Sequence, residues 1–253
     1  MKKQIKKVTA EIPIWGTIVW IECYGENMEY LQKGLQIIKN DFKKIDETFS
    51  PFRLDSEVSK FNRDSTNHPS ELFSEIWELC KNAKSLTEGN FDAWCSGKYD
   101  PIGIIKGWAA DRAVQLLKGF GATSIQVNAA GDISLLGGYP NAKGIMPWKI
   151  GIQNPNNPNE IVKVIEIHTG AIATSGTYLK GPHILDPKTG LVAIGALSAT
   201  VVGPVGALAD ALATGLVVAG REGAGWFAKP ELAEYGAWVV DRHLGTAWSI
   251  GKV

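Results

Sequence analysis

The stretch SIQVNAAGDISLLG, Ser124 to Gly137, sets two β-prone runs on either side of a short Ala-Gly turn, a spacing that predicts strand, tight turn and strand. A tight turn makes the two strands antiparallel, whereas a parallel pair needs a long crossover. Upstream, TIVWIEC (Thr17 to Cys23) predicts another strand. Downstream, strands are predicted in PWKIGIQNP, in two runs of EIVKVIEIHTGAIATSG, in LSATVVGP, and in a terminal hairpin, WVVDRHLGTAWSI, turning at residues 242–245. Apolar residues at helical spacing predict helices over about Met28 to Phe49 and Ser70 to Thr87, from near Lys106 to Gly119, and from Ala207 to Ala219. RLDSEVSKFNRDSTNH reads as a polar turn. Hairpins combined with long helices predict α+β architecture with mixed or antiparallel sheets, not a doubly wound parallel sheet.

The chain has 253 residues, 45% of them apolar, enough to bury a sizeable core. Neither a repeat nor a linker separates autonomous parts, so residues 1–253 are expected to form a single domain, with room for two intimately packed lobes. Lys+Arg and Asp+Glu both number 26, and this balance argues against nucleic acid as a partner. No apolar run reaches the length of about 18 residues that a membrane span needs. MKKQIKKVTAEIPIWG shows no secretory signal. The expected location is cytoplasmic if the sequence is complete and exported if a leader was removed. Cys23, Cys80 and Cys95 match no zinc or disulfide framework and are expected to be buried as small apolar groups.

Five places in the chain carry candidate chemistry. In ADALATG, Asp210 and Thr214 stand four residues apart, on one helical face where their oxygens suit a hard cation such as magnesium. The alternative is a capping Asp210 and a Thr214 bonded inside its own helix. ATSGTYLKGPHILDPKTG, Ala173 to Gly190, is expected to be a loop with hydroxyls at Thr174, Ser175 and Thr177, followed by His183 and a rigid Asp186-to-Gly190 turn. His183 reads either as a base or as a satisfied polar residue. KYDPIGIIKGWAADR places Asp100 before a bend and Lys106 at the expected helix start, a combination suited to phosphate. An ordinary solvated lysine fits it equally. Asp132 either caps its turn or binds, and Trp15 beside a glycine offers a stacking surface for a planar ligand.

The ordered set of IWGT (Ile14 to Thr17), FRLDSEVSKFNR (Phe52 to Arg63), GNFDA (Gly89 to Ala93), DPIGIIKGWAADR (Asp100 to Arg112), NAAGD (Asn128 to Asp132), PWKIGI, ATSG, HILDPKTG (His183 to Gly190) and ADALATG (Ala209 to Gly215) resembles the ApbE family, the FAD:protein FMN transferases. The order covers most of the chain, and the last two motifs are its most specific pair. The resemblance implies an α+β fold with a flavin cleft between lobes. It also implies a reaction: FMN moves from FAD to a threonine or serine of an acceptor protein, AMP is released, and Mg2+ assists.

Carried over to these positions, Asp210 and Thr214 would ligate the metal with side chains, and Gly103 and Ala213 with main-chain oxygens. Trp15, Phe52, Asn90, Phe91, Asp92, Asp100, Lys106 and Ile184 would meet the flavin nucleotide, Lys106 steadying phosphate charge. Asp210 is the first choice of base and His183 the second. Trp15 stands where the family often has methionine, Phe52 where it often has tyrosine, and NAAGD replaces a double-glycine form. The connector from Asp92 to Asp100 is shorter than the family's. An FAD pyrophosphatase releasing FMN and AMP, and a non-catalytic flavin-binding protein, are the alternatives.

Overall fold

Two-residue turns set the register of the strands. The computed structural model describes residues 5–64, 69–178, 181, 183–243 and 245–253. β1 (Lys6–Ile14) and β2 (Thr17–Gly25) pair with Ile14 opposite Thr17, leaving Trp15 and Gly16 as the loop at φ 54° and 68°. β3 (Ala122–Ala129) and β4 (Asp132–Leu136) repeat the arrangement around Ala130 and Gly131, at φ 58° and 99°. Positive φ at both loop positions matches the twist of the flanking strands.

Beyond β4 lie two ribbons, β5 (Tyr139–Asn141) with β6 (Gly144–Met146), and β7 (Trp148–Asn154) with β8 (Asn157–Ile167). β9 (Gly170–Gly176), β10 (Ala196–Gly203), β11 (Gly236–Asp241) and β12 (Ala247–Ile250) complete an eight-stranded sheet in the order β1-β2-β3-β4-β9-β10-β11-β12. Every neighbouring pair in it is antiparallel.

The helices are α1 (Met28–Phe49), α2 (Glu57–Arg63), α3 (Glu71–Leu86), α4 (Ile102–Gly119) and α5 (Gly206–Ala219). Asn27, Ser56 and Ser70 cap the first three, each side chain accepting an amide hydrogen from the first turn. Side-chain alternation divides the sheet into two faces. On one, Val19, Ile21, Cys23, Ile125 and Val127 pack in a single core with α1, α3 and α4, while Ala199, Val201, Ala237 and Val239 pack with α5. On the other, Trp148 of β7 meets Tyr24, Ile133 and Leu135, and Ile152 and Ile165 meet Ile172 and Val202.

Several expectations change. α4 begins at Ile102, so Lys106 sits in its second turn and not at its start. α2 occupies part of the stretch read as a polar turn, because Ser56 supplies a cap; residues 65–68 of that stretch lie outside the described residues. Thr174 and Ser175 belong to β9, as the second strand predicted in EIVKVIEIHTGAIATSG requires, so the loop expected from Ala173 starts only after Gly176. Residues 179, 180 and 182 of the same stretch, and 244 of the terminal turn, lie outside the described residues. Cys95 is exposed, unlike Cys23 and Cys80. Among the described residues no helix is long and apolar enough to cross a membrane.

Candidate functional site

Where α4 crosses α5, glycines remove the side chains that would keep the backbones apart. A Cβ at Gly107 would stand 2.2 Å from the Gly206 carbonyl oxygen, and one at Gly206 would stand 2.9 Å from that of Gly107. The close crossing puts the residues of ADALATG against the first two turns of α4. Asp210 is 2% exposed, and the Gly107 amide lies 3.4 Å from its Oδ2. Because α5 starts at Gly206, Asp210 is a full turn inside the helix and does not cap it. The cap comes from α4: Asp111 accepts the amide hydrogens of Gly206 at 2.7 Å and Ala207 at 3.1 Å, and the Ser134 hydroxyl at 2.6 Å. Burial raises the Asp111 carboxyl, while these three donors act in the opposite direction.

Thr214 shares a 2.9 Å hydrogen bond with the hydroxyl of Ser175 on β9. Its Oγ1 would lie 3.7 Å from a Cβ added at Gly103, and Phe91 Cε2 would lie 3.0 Å from the same point. Gly103, Phe91 and Thr214 therefore meet in one place, and Ala213, fully buried, precedes Thr214 on α5. The donors available here are one carboxylate, hydroxyls and main-chain carbonyls. No group of three His, Cys, Asp or Glu side chains suited to a metal occurs among the described residues. The oxygen-rich set is compatible with magnesium, which takes few carboxylates and keeps several waters.

The segment leading to α4 is held by its own hydrogen bonds. The Asn90 side-chain amide donates to the Thr87 carbonyl at 2.8 Å, and the Phe91 amide to the Thr87 hydroxyl at 3.0 Å. Asp92 pairs with Lys84 at 2.8 Å and accepts the Trp94 amide at 3.0 Å. Asp100 accepts the Ile102 amide at 3.1 Å; desolvation by the surrounding protein raises its carboxyl, against the pull of that amide. Lys106 forms an ion pair with Asp132, the first residue of β4, and keeps 23% of its side chain exposed.

The remaining sequence candidates lie on separate elements. Trp15 packs on Phe42 with ring centroids 5.1 Å apart, and its indole Nε1 is buried with no hydrogen-bond partner among the described residues. Phe52 is 91% exposed. Ile184 is buried and its carbonyl accepts the Ala193 amide at 2.9 Å. His183 is exposed, with Nδ1 2.8 Å from the Gly181 carbonyl. Asp186 holds the following turn, accepting the Lys188 amide at 2.8 Å and the Thr189 hydroxyl at 3.1 Å.

Sequence reasoning missed three partners: Asp111, Ser175 as the neighbour of Thr214, and Asp132 as the partner of Lys106. For Asp111 a signal existed, a carboxylate on the apolar segment GWAADRAVQLL.

The sequence model of the ApbE family matches residues 15–98 and 96–238. An FAD:protein FMN transferase of Vibrio cholerae is 28% identical over 265 residues, spanning 78% of this chain and 78% of its own length. The FAD:protein FMN transferase of Haemophilus influenzae is 32% identical over 258 residues, spanning 76% of this chain and 74% of its own. The solved flavin transferase ApbE from Vibrio cholerae shares the fold, with a TM-score of 0.80 at 23% identity over 98% of this chain and 97% of that one. With a match that runs from residue 15 to residue 238, the chain belongs to the ApbE family.

Proposed function

We propose that the protein transfers an FMN moiety from FAD to a threonine or serine hydroxyl of an acceptor protein, in a magnesium-dependent reaction that releases AMP. Family membership supports flavin transfer, and so do the names of the relatives. The observation that carries the finer reading is the meeting of Gly103, Asp210 and Thr214 at the α4–α5 crossing, with Lys106 one turn along α4. In this reading Asp210, Thr214 and the carbonyl oxygens of Gly103 and Ala213 hold the cation. When bound, the ion offsets negative charge on the pyrophosphate.

Lys106 directs its ammonium at phosphate. Asn90, Phe91, Asp92, Asp100 and Ile184 line the nucleotide, and Trp15 and Phe52 take the flavin ring. The acceptor oxygen attacks the FMN phosphorus, the bond from that phosphorus to the bridging oxygen breaks, and AMP leaves with that oxygen. The hydroxyl proton passes to a base. Asp210 is the first candidate wherever its carboxylate is not engaged by the cation, which lowers its basicity; His183 is the second.

The test incubates purified protein with FAD, Mg2+ and a peptide carrying a candidate acceptor threonine, and reads the intact peptide mass. A gain of one FMN, lost on chelation and strongly reduced in Asp210→Asn, is expected. FMN and AMP formed with no peptide gain across a panel of acceptors would identify a hydrolase instead. Transfer indifferent to chelation and to Asp210→Asn would remove the cation assignment.

A further inference from the structure

We propose that Asp132 is the positioning residue for Lys106, fixing the lysine ammonium so that its free donors face the phosphates of the flavin nucleotide. Asp132 opens β4 immediately after the Ala130-Gly131 turn, where a carboxylate can bond a neighbouring backbone amide. It does not do so here. The Gly131 amide is taken by the Asn128 side chain at 2.9 Å. Asp132 Oδ2 meets Lys106, and Oδ1, buried, has no hydrogen-bond partner among the described residues.

The contrast with Asp111 is informative, since that carboxylate has both oxygens engaged, by Ser134 and by the Gly206 and Ala207 amides, and supports a helix end. Asp132 has one partner side chain, and that partner lies 26 residues away on another element. Its register opposite Ala129 puts its side chain on the helix-covered face, where it is 1% exposed.

A buried carboxylate needs a compensating charge, and Lys106 supplies it. An ammonium carries three donors, so the pair leaves donors for a ligand on the part of Lys106 that stays exposed. Without Asp132 the flexible four-carbon stem would have no fixed end point. A ligand phosphate would then have to order it, which weakens binding.

This inference rests on the reading that the site binds FAD. The experiment measures FAD and riboflavin affinities, by flavin fluorescence, for wild type, Lys106→Met, Asp132→Asn and the double variant. Riboflavin lacks the phosphates, so it reports damage to the fold or ring pocket alone. Loss of a charge-assisted hydrogen bond predicts about tenfold or more weaker FAD binding in Lys106→Met, and a loss of similar order in Asp132→Asn. Riboflavin affinity is expected to stay within about twofold in both, and Asp132→Asn should add little once Lys106 is gone, the non-additivity of residues acting as a unit.

Equal effects of Asp132→Asn in both backgrounds, an equal loss for riboflavin, or unchanged FAD affinity would overturn the proposal. If Asp132→Asn does not fold, Asp132→Glu is read instead; it keeps the charge but displaces it, and FAD affinity equal to wild type would overturn the role. Wild-type protein that binds FAD no more tightly than riboflavin would count against the proposed function itself and not against Asp132 alone.

Discussion

Asp111 on α4 accepts the amide hydrogen of Gly206 at 2.7 Å, so one helix supplies the N-cap of the next. Val205, at the cap position, has no side-chain acceptor of its own. Replacing Asp111 with Ala leaves the Gly206 and Ala207 amides and the Ser134 hydroxyl without this acceptor. Loss of a cap typically costs about 1–2 kcal/mol. Urea denaturation should show a loss of that order, with Asp111→Asn less affected because it retains an acceptor oxygen. Equal stability of Asp111→Ala and wild type would show that water replaces the cap.

The same carboxyl predicts a pH dependence. Burial raises it from its ordinary 3.8, with Ser134, Ala207 and Gly206 opposing. The folded protein therefore holds this proton at pH values where the unfolded chain has released it. By linkage the Asp111 contribution is most favourable at the acid end and declines as pH rises from 3.8 through the folded value. The stability difference between wild type and Asp111→Asn, measured at intervals from that pH to neutrality, should shift against wild type with rising pH. A shift in the opposite direction contradicts the raised carboxyl.

Ala130 occupies the left-handed region at φ 58°, where a Cβ is unfavourable by about 1–2 kcal/mol. Ala130→Gly relieves this but adds freedom to the unfolded chain, worth roughly 0.5–1 kcal/mol in the other direction. The net expectation is a gain of about 0.5 kcal/mol, read as a higher urea midpoint with an unchanged slope. A lower midpoint would mean that the methyl group contributes packing that exceeds the strain.

Cysteine labelling separates the three thiols. Burial, with the neighbouring Glu22 carboxylate, pushes Cys23 up to about 11; burial pushes Cys80 up to about 12 despite a hydrogen bond from Tyr99. Cys95 is exposed. Reactivity follows access and thiolate fraction, so a thiol reagent should modify one site rapidly in native protein and all three after denaturation. Peptide mapping that finds Cys23 or Cys80 labelled at the rate of Cys95 would contradict the packing of β2 or α3.

The class of fold was legible because hairpin spacing and helical periodicity are local. The stretch from Ser124 to Gly137 folds as its composition predicts, and α1 runs from Met28 to Phe49 as its apolar spacing requires. β1 was not foreseen, since its charged and half-buried alternation belongs to an edge strand with one covered neighbour. α2 was hidden by its brevity and polarity, the Ser56 cap being its only clear signal.

At the candidate site the residue types were legible but their partnerships were not. ADALATG announced an oxygen-bearing helix face, yet the capping role went to Asp111 and the partner of Thr214 came from β9. Lys106 read as a free cation because nothing in its own segment suggests Asp132. Such contacts depend on which strand lies under which helix, and that is decided by the whole sheet.

The α4–α5 crossing also bears on the order in which the molecule is made. Asp111 and Gly206 are 95 residues apart, and contacts of that separation form slowly because the chain between them must first be ordered. During synthesis α4 emerges with its close-approach glycine uncovered and its carboxylate without the amides it will hold. No portion of the chain ending before α5 contains the candidate cation site. The candidate site is thus assembled late, once α5, in the last third of the polypeptide, has packed on α4.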